Sequence, residues 1–118
     1  LNFAVPHATG EILILTDVRQ ELAADSVAKL VESFADPRTG TVSGELLIRK
    51  GGSQEESDIG LYWRIESWIR DRLASIDSMF GATGPFYAIR RELYVPIPGD
   101  TLLDDMYLPL SAFRRGYR

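Results

Sequence analysis

The chain contains no cysteine, which excludes disulfides, thiolate nucleophiles, Cys-ligated zinc and iron–sulfur clusters. Histidine is almost as scarce. His7 stands alone, leaving little for a His-based metal site or a Ser-His-Asp triad, and it reads as a surface or helix residue. Long apolar runs are missing too: the strongest, Ile12 to Leu15, is far too short to span a bilayer, and no secretory signal is visible. Basic residues are outnumbered, 13 Lys plus Arg against 17 Asp plus Glu for a net charge of -4, so a broad basic nucleic-acid surface is not expected. What remains is ordinary: 118 residues, 45% hydrophobic and 25% charged, the proportions of one folded domain or part of a larger one. A cytoplasmic location is the expectation, possible also at the cytoplasmic face of a membrane through segments outside this chain.

The run Glu11-Ile-Leu-Ile-Leu-Thr-Asp17 is uninterrupted rather than alternating, which predicts a central strand buried on both faces, as in a parallel sheet. Val27, Leu30, Val31 and Phe34 recur at helical spacing and predict a helix over Ala24–Asp36, with Asp25 in its first turn and Pro37 ending it. Thr41–Ile48 reads as a second strand weakened at Gly44. Lys50–Asp58 is the most loop-like stretch, expected to move most. The set Leu61, Ile65, Trp68, Ile69, Leu73 and Ile76 predicts a helix over Ile59–Ile76, with Glu66 and Arg70 paired on its outer face. Gly81–Pro85 forms a turn into a third strand, Phe86–Arg90. A last helix spans Thr101–Phe113, capped by Thr101 or Asp100, with Gly116 as its stop. Alternating strands and helices predict an α/β layered fold with a mixed, mostly parallel sheet.

Asp17 lies just past the carboxyl end of a strand, where open α/β sheets bind ligands; a turn aspartate is its bland reading. Asp104 and Asp105 are neighbours on a helix, about 100° apart, so they divide roles between facing a cleft and supporting. First-turn acids favoured by the helix dipole are the alternative. Gly81 to Gly84 lets a backbone approach a ligand or simply turns. Tyr62, Trp63, Trp68 and Phe80 could stack on a sugar, though aromatics at helical spacing are more often core. Arg90-Arg91 and Arg114-Arg115 could meet phosphate, solvated charge being the commoner fate.

In order, Ile12-Leu-Ile-Leu-Thr-Asp17, Phe34-Ala-Asp-Pro-Arg38, Val42-Ser-Gly44, Tyr62-Trp-Arg-Ile-Glu66, Gly81-Ala-Thr-Gly-Pro-Phe-Tyr-Ala-Ile-Arg-Arg91 and Asp104-Asp-Met-Tyr-Leu-Pro-Leu110 span almost the whole chain. Together they resemble the middle of the family-2 glycosyltransferases, which have the GT-A, Rossmann-like nucleotide-sugar fold. The resemblance implies an acceptor-side catalytic fragment covering residues 1–118, without the N-terminal nucleotide-binding half and inactive alone. It implies that the intact enzyme moves a sugar from a nucleotide-diphospho-sugar to a hydroxyl of a saccharide or lipid-linked acceptor, with inversion. Asp17 matches the first acid of the Asp-x-Asp element, binding donor diphosphate and a divalent cation, Mg²⁺ or Mn²⁺. Arg19 stands where the second acid is common, and could itself meet phosphate. Asp105 matches the general base and Asp104 its supporting neighbour. Gly81, Ala82, Thr83 and Gly84 match the loop bordering the acceptor. Asn2 fits the end of the helix before the metal-site strand. Strands missing from the sheet are expected to leave an unpaired edge and drive self-association.

Two other classes compete. One is a non-catalytic α/β interaction fragment in which these acids are caps. The other, a phosphoacceptor signalling domain, needs a late lysine, and Lys29 and Lys50 do not follow a late strand.

Overall fold

A computed structural model describes residues 1–45, 54–76, 78 and 81–118, with side chains of residues 54–63 excluded. Six main elements follow one another: β1 (Ile12–Thr16), α1 (Ser26–Glu32), β2 (Thr41–Ser43), α2 (Gln54–Ile76), β3 (Phe86–Arg90) and α3 (Asp104–Arg114). The strands form one sheet in the order β1-β3-β2, and both pairings are antiparallel.

This corrects the expected mostly parallel, Rossmann-like sheet. β1 and β2 do run in the same direction, each being antiparallel to β3. The turn before Phe86, however, returns the chain to the end where β1 and β2 stop. β3 therefore enters between them in reverse.

Position in the sheet also decides burial. β1 is an edge strand, so its apolar run is not buried on both faces: Leu13 is buried, while Ile14 and Thr16 are exposed. The strand covered on both faces is β3, where Phe86, Tyr87, Ala88 and Ile89 are all buried. Its alternating side chains serve two clusters. Tyr87 and Ile89 join Leu13, Leu93, Leu108 and Ala112 beneath α3. Phe86 and Ala88 join Leu30 and Phe34 of the α1 side.

Several boundaries differ from the sequence reading. The first helix splits into α1 and a 3-10 turn, Ser33–Ala35, and Val27 and Val31 stay exposed. Only Leu30 and Phe34 of its stripe reach the sheet. β2 ends at Ser43; the Gly44 amide still donates to the Phe86 carbonyl at 2.8 Å, and its backbone packs against the Phe86 ring where a Cβ would overlap it. Residues 46–48 of the expected strand, and 50–53 of the expected loop, lie outside the described residues. Residues 54–58 are helical rather than loop.

α2 reverses the expected orientation. Ile65, Trp68, Ile69 and Ile76 are exposed, with Trp68 at 58%. Glu66 and Arg70, expected outside, are ion-paired and turned toward the body, where Arg70 donates to the Thr83 hydroxyl. Trp68 is therefore not core, and instead lies under the Arg72 guanidinium. Among the described residues no helix is long and apolar enough to cross a membrane.

The arginine doublet that ends β3 is structural at its first member. Arg90 donates to the carbonyls of Thr39, Phe34 and Asp36 at 2.8, 3.0 and 3.2 Å and stacks over the Phe34 ring. It satisfies the end of the α1 segment that Pro37 leaves without helical partners. Hydrogen bonds from a charged donor contribute more than neutral ones. Arg90→Ala is thus expected to lower unfolding free energy by about 2 kcal/mol, read from the urea midpoint, with Arg91→Ala near neutral. Equal midpoints for the two variants would contradict this role.

α3 begins at Asp104 with Leu103 at the capping position and no side-chain cap. Asp100 and Thr101 are not its caps. They form a separate turn in which the Thr101 N–H donates to the Pro98 carbonyl at 3.1 Å. At the other end Gly116 has φ of 86°, and the Tyr117 and Gly116 amides return to Ala112 and Phe113. That closure is the expected glycine stop.

Candidate functional site

The end of the sheet where β1 finishes carries Asp17 and, across from it, the Gly81–Gly84 loop. Asp17 follows β1 directly, and its amide donates to the Pro85 carbonyl at 3.0 Å, carrying the ladder one residue further. Pro85 has no N–H to return, so pairing ends there and the Asp17 carboxylate stands at the rim. Among the described residues its nearest cation is Arg19, at 3.8 Å and largely exposed.

The Gly81–Gly84 loop is tied to three elements. The Ala82 amide donates to the Asp105 carbonyl at 2.8 Å. The Thr83 amide donates to the Ser43 hydroxyl at 2.7 Å, and its own hydroxyl accepts from Arg70. The bond to Asp105 is possible because of Pro109. A residue four positions on would normally donate to the Asp105 carbonyl, but proline cannot, and the freed carbonyl takes the loop amide instead. The sequence carries this signal in Pro109, which stands inside the expected Thr101–Phe113 helix.

A cleft of about 600 Å³ runs along β1, and its lining includes Asp17, Gly84, Tyr87 and Asp104. The structure thus brings Asp17 and Asp104 to one cleft. It does not put Asp105 there in the same way. Asp105 sits behind Gly84, where an added Cβ would lie 2.6 Å from its Oδ2, and its Oδ1 is buried without a hydrogen-bond partner among the described residues. Of the expected loop, only Gly84 lines this cleft. Gly81 lies against Met106, Ala82 is core, and Thr83 opens on the α1 side. Trp63 and Tyr62 side chains and Phe80 fall outside the described residues. Asn2 does not end a helix. Its side chain instead bridges the Ile97 amide and carbonyl and the Tyr94 hydroxyl at 2.9, 2.7 and 2.6 Å, fastening the segment that leads toward α3.

Tyr87 is the residue that sequence reasoning missed, since its aromatic ring on a buried strand reads simply as core. It is 1% exposed, yet its hydroxyl has no hydrogen-bond partner among the described residues. Burial, then the carboxylates of Asp104 and Asp105 and the hydroxyl of Tyr94, hold its pKa well above the usual phenol value, so it stays protonated and can donate. The folded chain keeps this proton where the unfolded chain loses it. Stability from this residue is therefore complete below about pH 10 and declines as pH rises beyond. The slope from one such group is about 1.4 kcal/mol per pH unit. Tyr87→Phe is expected to flatten the decline between pH 10 and 11.5 in urea titrations; an unchanged slope would contradict it.

Among the described residues no three His, Cys, Asp or Glu side chains gather closely enough to cage a metal ion. Asp17 fits only as a single carboxylate ligand, with phosphate and water left to supply the other oxygens. A second cleft, about 790 Å³, lies on the α1 side; its Asp25 and Lys29 are paired with each other at 2.7 Å. Compared with known protein families, curated proteins and solved structures, the chain matches none.

Proposed function

We propose that the chain is the acceptor-side part of an inverting glycosyltransferase of GT-A type, taking a nucleotide-diphospho-sugar donor and a saccharide or lipid-linked acceptor. The observation that carries this reading is that Asp17 and Asp104, remote in sequence, both line one cleft, with Gly84 also in its lining. An acceptor hydroxyl is a poor nucleophile until a base takes its proton. In the proposed reaction that oxygen bonds to the anomeric carbon, its proton passes to a carboxylate, and the carbon–phosphate oxygen bond breaks to release the nucleoside diphosphate. Asp104, which lines the cleft, takes the proton, the reverse of the division of roles that the resemblance implies for it and Asp105. Asp105 acts behind it, holding the loop at Gly84 through its carbonyl bond to Ala82.

Asp17 and Arg19 are the proposed donor-diphosphate contacts, with Asp17 as the protein ligand of Mg²⁺ or Mn²⁺. When bound, that cation would offset charge on the leaving diphosphate. Gly81, Ala82 and Thr83 shape the acceptor side through the backbone they hold rather than by direct contact. The test is transfer by the full-length protein, measured as nucleoside diphosphate released from UDP- and GDP-sugars with and without acceptor. No release dependent on a donor would overturn the reading. The isolated chain is expected to show none. The phosphoacceptor alternative gains nothing from Lys29, which is committed to Asp25.

Homo-oligomer formation through the sheet edge belongs to the same proposal. Glu11 to Asp17 alternate in the ladder, so the amides and carbonyls of Ile12, Ile14 and Thr16 point away from β3. The opposite edge is different. There the Arg118 carbonyl accepts from Gly40 at 2.7 Å and its amide donates to Arg38 at 2.9 Å, so β2 is partly covered. An open edge templates pairing with another chain. Self-association in sedimentation at about 100 μM is the expected result, reduced by Ile14→Lys. A monomer unaffected by that substitution would contradict it.

A further inference from the structure

We propose that α2 is a self-association surface: its exposed apolar stripe pairs with the same stripe of a second copy, the two helices running antiparallel. This pairing is independent of the transferase reading and of the β1 edge.

Ile65, Trp68, Ile69 and Ile76 follow one another at helical spacing, which puts them on one face of α2. All four are exposed. Arg72 lies in the same stripe, but its guanidinium rests over the Trp68 ring, 5.4 Å from the centroid, so its stem extends the apolar surface. The helix is held to the body from its other side, where Arg70 pairs with Glu66 and donates to Thr83. Apolar side chains of this size, clustered and open to water, mark a contact surface.

The charges beside the stripe select the occupant. Arg64 and Asp71 are both exposed. Two turns apart, they stand nearly on one line along the helix, about 10 Å from each other, at the same edge of the stripe. In an antiparallel pair each edge faces the same edge of the other copy. A crossing near Ser67 and Trp68 then sets Arg64 against Asp71 of the second copy, and symmetry repeats the contact in reverse. Trp68 falls beside the two-fold axis. A parallel pair would set this edge against the one carrying Glu66 and Arg70, which are already paired with each other. A lipid surface suits the stripe less well, because Asp71 flanks it and Arg70 is offset by Glu66.

The test is sedimentation equilibrium of the Ile14→Lys chain, in which pairing at the β1 edge is blocked. A monomer–dimer equilibrium with a Kd of about 100 μM is expected. In that background Trp68→Glu is expected to weaken the dimer about tenfold or more. Arg64→Asp and Asp71→Arg each weaken it about fivefold, because each sets like charges across both contacts, and combining them restores the original Kd. The charge reversals decide the matter if Trp68→Glu loses helix content by circular dichroism. An Ile14→Lys chain still monomeric at about 500 μM overturns the inference. So does a folded Trp68→Glu dimer of unaltered strength, or a pair of charge reversals whose effects add instead of cancelling. Binding to phosphatidylcholine–phosphatidylglycerol vesicles by a chain that stays monomeric would assign the stripe to lipid and overturn it equally.

Discussion

Replacing Leu108 with alanine is expected to remove about 3 kcal/mol of unfolding free energy, enough to take a large fraction of the stability of a small domain. Leu108 is 0% exposed. It lies in the cluster where α3 meets the sheet, with Leu13, Tyr87, Ile89 and Leu93. Truncation loses the transfer free energy of three buried carbons and leaves a cavity between helix and strand. The cavity would not close easily, because α3 is held at both ends: Asp105 is bonded to the Gly81–Gly84 loop, and the Gly116 stop anchors Tyr117. Leu30→Ala makes the informative comparison, since Leu30 is also buried but packs on the opposite face of β3. Both variants should shift the urea midpoint, while only Leu108→Ala should disturb amide signals of Gly84 and Asp104. A Leu108→Ala cost below about 1 kcal/mol, or equal disturbance of the cleft by both, would contradict this account.

The same packing explains which parts of the fold could be read in advance. Local signals were reliable where the chain supplies its own answer. Gly116 had to adopt positive φ to close α3, and Phe86–Arg90 alternates into two cores. Periodicity was less reliable because it marks an apolar stripe without saying what covers it. Val27 and Val31 share the spacing of Leu30 and Phe34 but stay exposed, and α2 turns Glu66 and Arg70 inward and Trp68 outward. Strand direction was not legible at all. A strand–helix–strand order is compatible with either sense of β3, and the tertiary position of the Pro85 turn decides it. The candidate site shows the same division. Asp17 and the Asp104-Asp105 pair were visible as acids at element ends, a local property. That Asp104 lines the cleft while Asp105 lies behind Gly84 depends on how α3 is seated against the Gly81–Gly84 loop, which the Asp105 carbonyl freed by Pro109 helps to hold. Tyr87 was hidden because a missing hydrogen-bond partner is a property of the assembled core.

On the proposed transferase reading, Asp104→Asn in the full-length protein is expected to reduce turnover by about 10²–10⁴-fold with little change in thermal midpoint. The amide preserves shape but cannot take the acceptor proton, so the loss should fall on kcat more than on KM. Asp105→Asn should behave differently. Its main-chain carbonyl, which holds Ala82, survives the substitution, so the effect comes only through the side chain beside Gly84, and a smaller loss is expected. Asp17→Asn should act on the donor, raising its KM and the cation concentration needed, because one of few protein oxygens is lost. Like-charge crowding gives this pattern a further physical basis: acids gathered on one rim repel an anionic donor unless a cation or Arg19 intervenes. If Asp105→Asn abolishes turnover with the fold intact while Asp104→Asn is harmless, the proton acceptor is Asp105, and the geometry of the cleft changes on substrate binding. If neither substitution affects turnover that Asp17→Asn also leaves intact, the three carboxylates serve the fold alone.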